Sequence, residues 1–370
     1  MKVFKKRELI LLVSVMAAVD LVVADDKTVV NDDWQISASL QSFVYSEAVS
    51  IETMLNEWRG PFLGGETAFS HNRLTLGASW ENFSVSLLRR DDYLLEFSQD
   101  TALYYHSDQN DTLLARDRNF DIYLDVTNIR SRGIGFDYRW IFGEKLTIGV
   151  GVSLLDAFWL TDGNITGQIS IDANDDVSGL LHLDYYYSED SILDRQIAVL
   201  PQGRGFATDV HLQWQPVRQW SLSFDAVDLF SRIYWRDAPF TYATAKTDNF
   251  SVDEAGFIHF SPLISGVEGS RSFTQRIPGW FSLAVEHHPL SSKVSYFLNL
   301  RRYTTKTFHQ IGVSYMFASS NELTLGVMPE QDAVTVAWRY FGFSLKLTAN
   351  AIPVNEGTVF GVGVSYNLLH

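Results

Sequence analysis

The sequence predicts an all-β protein, a transmembrane antiparallel β-barrel of about 14–18 strands with short turns at one end and long loops at the other. Three observations carry that prediction: near-continuous alternation of apolar and polar residues, an opposite face too small and too mixed for an ordinary solvated surface, and unequal connections at the two ends. The alternation runs from Trp34 onward. Phe120, Ile122, Leu124 and Val126 alternate with Asn119, Asp121, Tyr123 and Asp125, and Leu146, Ile148, Val150, Val152 and Leu154 with Thr147, Gly149, Gly151 and Ser153. Phe206 to Trp214 and Phe360 to Leu368 repeat the pattern. A period of two is that of a strand with one apolar face. A bulky apolar face backed by Gly, Ser, Thr, Asn, Gln and a minority of charges suits lipid outside and a polar lumen inside.

Placed in order from the C-terminus, strands are expected near 357–368, 343–351, 332–340, 321–328, 307–317, 293–302, 280–288, 219–230, 205–214 and 177–187. Further back they fall near 163–171, 145–155, 132–141, 119–128, 93–106, 83–89, 70–80 and 34–45. Connections such as 341–342, 289–292, 215–218, 172–176 and 142–144 are then short and share one end. The long connections 46–69, 188–204 and 231–279 share the other, and 107–118 alone breaks the rule. Helical periodicity is scarce, and Ser46–Trp58 is its best candidate, expected within a loop. Trp34, Trp80, Trp140, Trp214, Trp220 and Trp338 gather at the short-turn end, where an indole favours the headgroup level. Tyr45, Tyr187 and Phe230 are expected near the outer ends.

Residues 1–24 read as an export signal: Lys2, Lys5, Lys6 and Arg7 precede an apolar stretch from Leu9 to Val19, and Val22-Val23-Ala24 supplies the cleavage pattern. Residues 25–370 then form one barrel domain. No later segment reaches the length of apolar run that a membrane helix needs. The chain carries 44 acidic and 29 basic residues, a net charge of −15. That balance argues against nucleic acid as a partner, because no basic excess neutralises phosphates. It also gives no lipopolysaccharide-binding polycation. The absence of cysteine removes disulfides, thiol catalysis and cysteine-ligated metals.

With these features the chain resembles outer-membrane β-barrels over essentially all of 34–368. The resemblance implies an outer-membrane location, lipid around the barrel and the barrel-assembly machinery as a partner. Members usually finish on an alternating strand with a terminal aromatic; here Phe360, Val362, Val364, Tyr366 and Leu368 supply the alternation, but the chain ends Leu369-His370. The last third, opening with Arg276-Ile277-Pro278-Gly279-Trp280, is similar to the long-chain fatty-acid transporter group. No equivalent of that group's N-terminal hatch is present, so its ligand site is not carried over.

Candidate chemistry is sparse. His106-Ser107-Asp108 reads as a polar strand end and His287-His288 as no ligand pair. Asp172-Ala173-Asn174-Asp175-Asp176 reads as a tight turn, since Val177 stands where a calcium loop needs Gly. Neither a catalytic site, a metal nor a cofactor is expected. By the alternation, Asp121, Asp125, Arg139, Asp184, Asp209, Glu286, Arg301 and Arg339 line a channel, with Asp137, Asp225, Lys346, His182, His211 and His288 on the same face. That lining leads to a porin-like channel for small hydrophilic solutes, because a route for fatty molecules would need an apolar lining that this face lacks. The alternative is a non-conducting structural component or surface receptor binding a protein or polymer through loops 188–204 and 231–279.

Overall fold

The computed structural model describes residues 34–193, 195–197, 199–246, 250–252, 258–260, 263–318 and 320–369. The export signal and the segments around 250–260 lie wholly or partly outside these residues. The strands in chain order are β1 (Trp34–Ser46), β2 (Thr67–Trp80), β3 (Phe83–Phe97), β4 (Arg118–Phe142), β5 (Leu146–Ile171), β6 (Val177–Tyr187), β7 (Gln202–Val217) and β8 (Trp220–Lys246). Then come β9 (Phe250–Val252), β10 (Ile258–Phe260), β11 (Leu263–Gln275), β12 (Trp280–His287), β13 (Val294–Tyr303), β14 (Lys306–Ala318), β15 (Asn321–Met328), β16 (Ala333–Tyr340), β17 (Phe343–Ala349) and β18 (Val359–Leu369). The helices are α1 (Ile51–Leu55) and α2 (Gln99–Gln109).

Fourteen strands close the barrel in the order β1-β2-β3-β4-β5-β7-β8-β12-β13-β14-β15-β16-β17-β18, and β18 returns to β1 with Leu40 opposite Val364. Closure leaves no open edge in lipid, where an unpaired backbone group costs several kcal/mol. The outward face is apolar and exposed, as in the row Leu87, Ile134 and Leu154 on neighbouring strands. The six tryptophans lie exposed at the short-turn end, where Trp34 stacks on Trp80 with ring centroids 6.1 Å apart.

Three expected strand pairs and one single strand resolve differently from the sequence reading. Segments 83–89 and 93–97, 119–128 and 132–141, and 145–155 and 163–171 are each one strand, and 219–230 continues to Lys246. β4, β5 and β8 therefore run 25, 26 and 27 residues, against the roughly 9–11 that cross a tilted bilayer. Their upper halves form a second sheet above the membrane, β4-β5-β6-β8-β11. The turn 172–176 is consequently at the outer tip instead of the periplasmic side. There the Asp172 carboxylate accepts from the backbone N–H of Asn174 (2.7 Å) and Asp176 (2.9 Å), which holds its pKa below the usual carboxylate range. The connection 107–118 moves to the outer end as well, so the asymmetry of loop lengths has no exception.

Residues 99–106, expected as strand, belong to α2. Ser98 caps it, its hydroxyl accepting from Thr101 N–H at 3.1 Å, and Ala102 and His106 fall on one buried face. In the other helical stretch only Ile51–Leu55 is helical. Met54, Trp58 and Ala102 from the two helical segments pack with Val44, Leu95 and Phe97.

A bulge at Phe158 separates the two halves of β5, since Arg130 faces Trp159 while Ser131 faces Ala157. Above it Gly163 is obligatory: φ is +150° and a Cβ would lie 2.2 Å from the Asp184 carbonyl oxygen. β11 and β12 are in effect one strand interrupted at Arg276–Gly279, opposite β8. Across that break the Ser231 hydroxyl replaces the ladder, accepting from Ile277 N–H (3.0 Å) and donating to Ile277 O (3.1 Å).

At the base of the upper sheet, burial pushes the Asp162 carboxyl up to about 7. The folded lobe therefore holds this proton more tightly than the unfolded chain, and ionisation costs stability as pH rises from about 4 to about 7, with no further cost above that. Amide exchange of β5, β6 and β11, corrected for intrinsic rates, should show weaker protection at pH 8 than at pH 5. Asp162→Asn should flatten that difference; unchanged pH dependence in the variant would assign it to another group.

Candidate functional site: a crossed lumen and an aromatic cavity

The lumen face begins polar at the short-turn end. Gln35, Ser37, Thr75, Asp137, Arg139 and His211 line a vestibule of about 640 Å³. His211 Nδ1 lies 2.9 Å from an Asp225 carboxylate oxygen, which fixes the imidazole orientation.

Above the vestibule the walls meet. On β3 the run Arg89-Arg90-Asp91-Asp92 sits in mid-strand, so Arg90 and Asp92 point inward while Arg89 and Asp91 point outward. Arg90 is fully buried. Its Nε donates to Asp92 Oδ2 (2.6 Å), and Nη1 and Nη2 donate to the two Asp228 oxygens (2.7 Å each). His71 Nδ1 donates to the other Asp92 oxygen at 2.5 Å. Beside it Arg73 Nη1 donates to Asp209 Oδ2 at 3.3 Å, and Asp209 Oδ1 accepts from Asp228 N–H at 2.9 Å.

Both aspartates of β7 and β8 stand where the pairing slips, between Thr208↔Phe230 and Val210↔Ala226. The extra residues lie on β8, where they re-aim Asp228 from the face a regular strand would give it, whereas Asp209 keeps the inward parity of β7 in its unbroken pairing with β5. Asp228 takes φ +57° there, a conformation Asp tolerates better than most residues. These bonds tie β2 and β3 to β7 and β8 across the interior.

A second set of contacts crosses nearer the outer mouth. Phe69 of β2 stacks on Tyr303 of β13, centroids 4.1 Å apart, although these strands are diametrically opposed in the ring. Phe308 packs edge-on to Phe43 and Tyr45 at 5.5 and 5.1 Å. The β13–β14 turn reaches over as well, with Thr305 donating to Glu96 and Lys306 to Glu47 (2.6 Å). On the far side of the interior Leu88, Ile129, Leu155, Ile233, Trp235 and Ile277 form an apolar filling.

Between these features lies a cavity of about 370 Å³. Phe43, Phe69, Trp280, Tyr303, Phe308 and Met328 give it an apolar side, while Arg301, Lys346, Gln41, Asn299, Gln310 and Ser344 give it a polar one. The Arg301 guanidinium lies 5.1 Å from the Trp280 ring and 5.9 Å from the Phe43 ring. Among the described residues neither Arg301 nor Lys346 forms an ion pair, and the buried Trp280 Nε1–H has no acceptor. The only carboxylate in this lining, Asp225, is engaged by His211.

The sequence-predicted residues divide. Asp137, Arg139, Asp209, Asp225, His211, Arg301 and Lys346 lie in the barrel interior. Arg339 pairs with Glu322, and Glu286 approaches His288 at 3.3 Å, both near the short-turn end. Asp121, Asp125, Asp184 and His182 stand on the upper sheet, where burial raises the Asp125 carboxyl and Gln168 Nε2 donates to Asp121 at 2.9 Å. They line no part of the membrane barrel. Tyr45 and Tyr187 are buried and form no outer girdle. The expectation of a lumen without apolar lining is corrected: the polar stripe Gln35, Ser37, Ser39, Gln41 continues on the same face as Phe43 and Tyr45. A sequence signal existed in that change of character toward one strand end.

No family model and no curated protein matches the chain. Among solved structures, the Pseudomonas putida toluene transporter TodX aligns at 11% identity with a TM-score of 0.43, covering 92% of this chain and 91% of that one. The Ralstonia pickettii toluene transporter TbuX aligns at 11% identity with a TM-score of 0.33, covering 92% and 90%. A Pseudomonas aeruginosa FadL homologue gives 11%, 0.29, 91% and 88%. The chain is a closed antiparallel β-barrel of fourteen strands.

Removing one partner of the buried pair leaves an uncompensated charge, worth about 3–5 kcal/mol. Asp228→Ala should therefore lower the heat-modifiability midpoint of the detergent-folded barrel substantially. Adding Arg90→Met to Asp228→Ala should recover much of the loss. A double variant as unstable as the single would mean that the backbone at Asp228, not its charge, carries the effect.

Proposed function

We propose that this barrel transports small amphipathic molecules with an aromatic or apolar body and one anionic group. The carrying observation is the cavity in which two cations without carboxylate partners face an aromatic wall. Arg301 and Lys346 are partly buried and form no direct ion pair among the described residues, Asp225 being engaged by His211, so a ligand anion that displaces water from the cavity supplies them a contact counter-charge. Trp280 Nε1–H adds a donor, and the aromatic wall contributes area burial and ring contacts. A porin-like route for hydrophilic solutes agrees less well with a lumen whose opposite walls touch. A cavity of this size matches pockets that enclose small ligands.

The crossed mouth also favours a second reading, a non-conducting component or receptor that meets a partner at its outer surface. Uptake separates the two. Proteoliposomes holding the transporter of the first reading admit an aromatic carboxylate faster than a sugar of similar mass; a receptor admits neither.

Binding can be followed through the quenching of tryptophan fluorescence, with Trp280 in the wall. Arg301→Gln with Lys346→Gln should weaken binding of an aromatic carboxylate about tenfold or more, since charge-assisted hydrogen bonds are the strong ones. Binding of the neutral aromatic parent should hardly change. Equal loss for both ligands, or no loss for either, would contradict the proposed anion site.

A further inference from the structure

The outward face of the barrel carries a feature that lumen transport does not use. On β3 the apolar outward residues Phe83, Val85 and Leu87 give way to Arg89. Arg89 stands directly opposite Arg132 of β4, Arg132 opposite Asp156 of β5, Asp156 opposite Arg204 of β7, and Arg204 opposite Tyr234 of β8. The five residues thus form one cross-strand row on a single face, and all are exposed. The row immediately below is Leu87, Ile134, Leu154 and Phe206. Two residues along a strand are about 7 Å, so the arginines stand just above the lipid-facing band, at the headgroup level of the outer leaflet.

Charge compensation in the row is incomplete. Arg132 donates to Asp156 through Nε (3.1 Å) and Nη2 (3.0 Å). Among the described residues Arg89 and Arg204 have no ion pair. One strand further, Arg232 lies level with Phe206 and Arg236 with Gln202, extending the basic surface along β8. A chain with a net charge of −15 therefore concentrates unpaired arginines where its wall leaves the hydrocarbon. Exposed guanidinium groups present paired N–H donors that fit phosphate oxygens bidentately, and Tyr234 provides an amphipathic ring of the kind favoured at a membrane interface.

We propose that this arginine row binds the phosphate groups of phosphorylated glycolipid in the outer leaflet. The acyl chains of such a lipid lie along the apolar row below, which makes the site continuous with the lipid-facing wall. Arg89 and Arg204 are three strand spacings apart, about 14 Å, so one headgroup or two neighbouring ones meet both ends of the row. The role is independent of what passes through the lumen.

The test uses the mature, detergent-folded protein in micelles doped with bis-phosphorylated lipid A, with the same lipid after phosphatase treatment, or with phosphatidylcholine. Retained lipid is read by native mass spectrometry. Wild type should retain bis-phosphorylated lipid A preferentially. Arg89→Gln with Arg204→Gln should lower retention about tenfold, while Arg89→Lys with Arg204→Lys should keep most of it. Heat-modifiable migration verifies that each variant is folded, and a Gln pair that fails to fold is replaced by the single substitutions. Retention equal for phosphorylated and dephosphorylated lipid would overturn the proposal, as would a folded Gln variant that binds like wild type. Full displacement by inorganic phosphate at equal concentration would show a simple anion site and overturn the lipid assignment.

Discussion

A guanidinium sealed from water in the middle of a barrel constrains everything around it. Arg90 is tolerable only because Asp92 and Asp228 take up its donors with short, charge-assisted bonds. Satisfying it requires a carboxylate from β8 to reach a strand on another wall, which in turn requires the irregular pairing at Thr208–Val210. His71 then completes the second oxygen of Asp92, and Asp209 holds both Arg73 and the Asp228 backbone. The bridge fixes the separation of the walls at this height. Vestibule, aromatic cavity and apolar filling are the spaces left around it.

Sheet geometry explains why the molecule has two storeys. The short strands β12 to β18 need only cross the membrane, whereas β4, β5 and β8 continue upward to build the outer sheet. In a barrel the backbone must be paired within lipid, but above it an open sheet is permitted because water satisfies its edges. The break at Arg276–Gly279 is where the returning chain passes from one regime to the other. Pro278 has no N–H to offer a ladder, and the Ser231 hydroxyl supplies the missing connection.

Much of this was legible in the residues. Alternation gives the strands, loop asymmetry gives the orientation, and the tryptophans mark the short-turn rim. Strand count was less legible, because alternation has no marker for leaving the membrane: Phe120, Ile122, Leu124 and Val126 in the upper half of β4 alternate just as Ile134, Phe136, Tyr138 and Trp140 do in the lower half. The helix after Ser98 was hidden by apolar and aromatic residues that fit either period over a few positions. The lumen was half legible. Asp137, Arg139, Asp209, Asp225 and Arg301 follow from parity, but Arg90-Asp91-Asp92, just after Arg89, falls in the expected break between strands 83–89 and 93–106. Only the fold shows that two of those four charges are buried and two face outward. Phe43, Phe69 and Tyr303 keep the parity of the inward polar residues on their strands, so the face was readable; what alternation does not announce is that this face turns from polar to aromatic near the outer end and closes a cavity there.

Whether opposite walls meet inside the folded protein is the claim on which the functional reading turns. Electrical conductance of the wild-type barrel in a planar bilayer addresses it most directly. A lumen crossed by the Arg90 bridge and the Phe69–Tyr303 stack predicts no sustained open-channel current in plain electrolyte. Large, stable, ohmic steps of the kind an open water-filled barrel gives would contradict the crossed lumen, and with it the assignment of the cavity as the transport site.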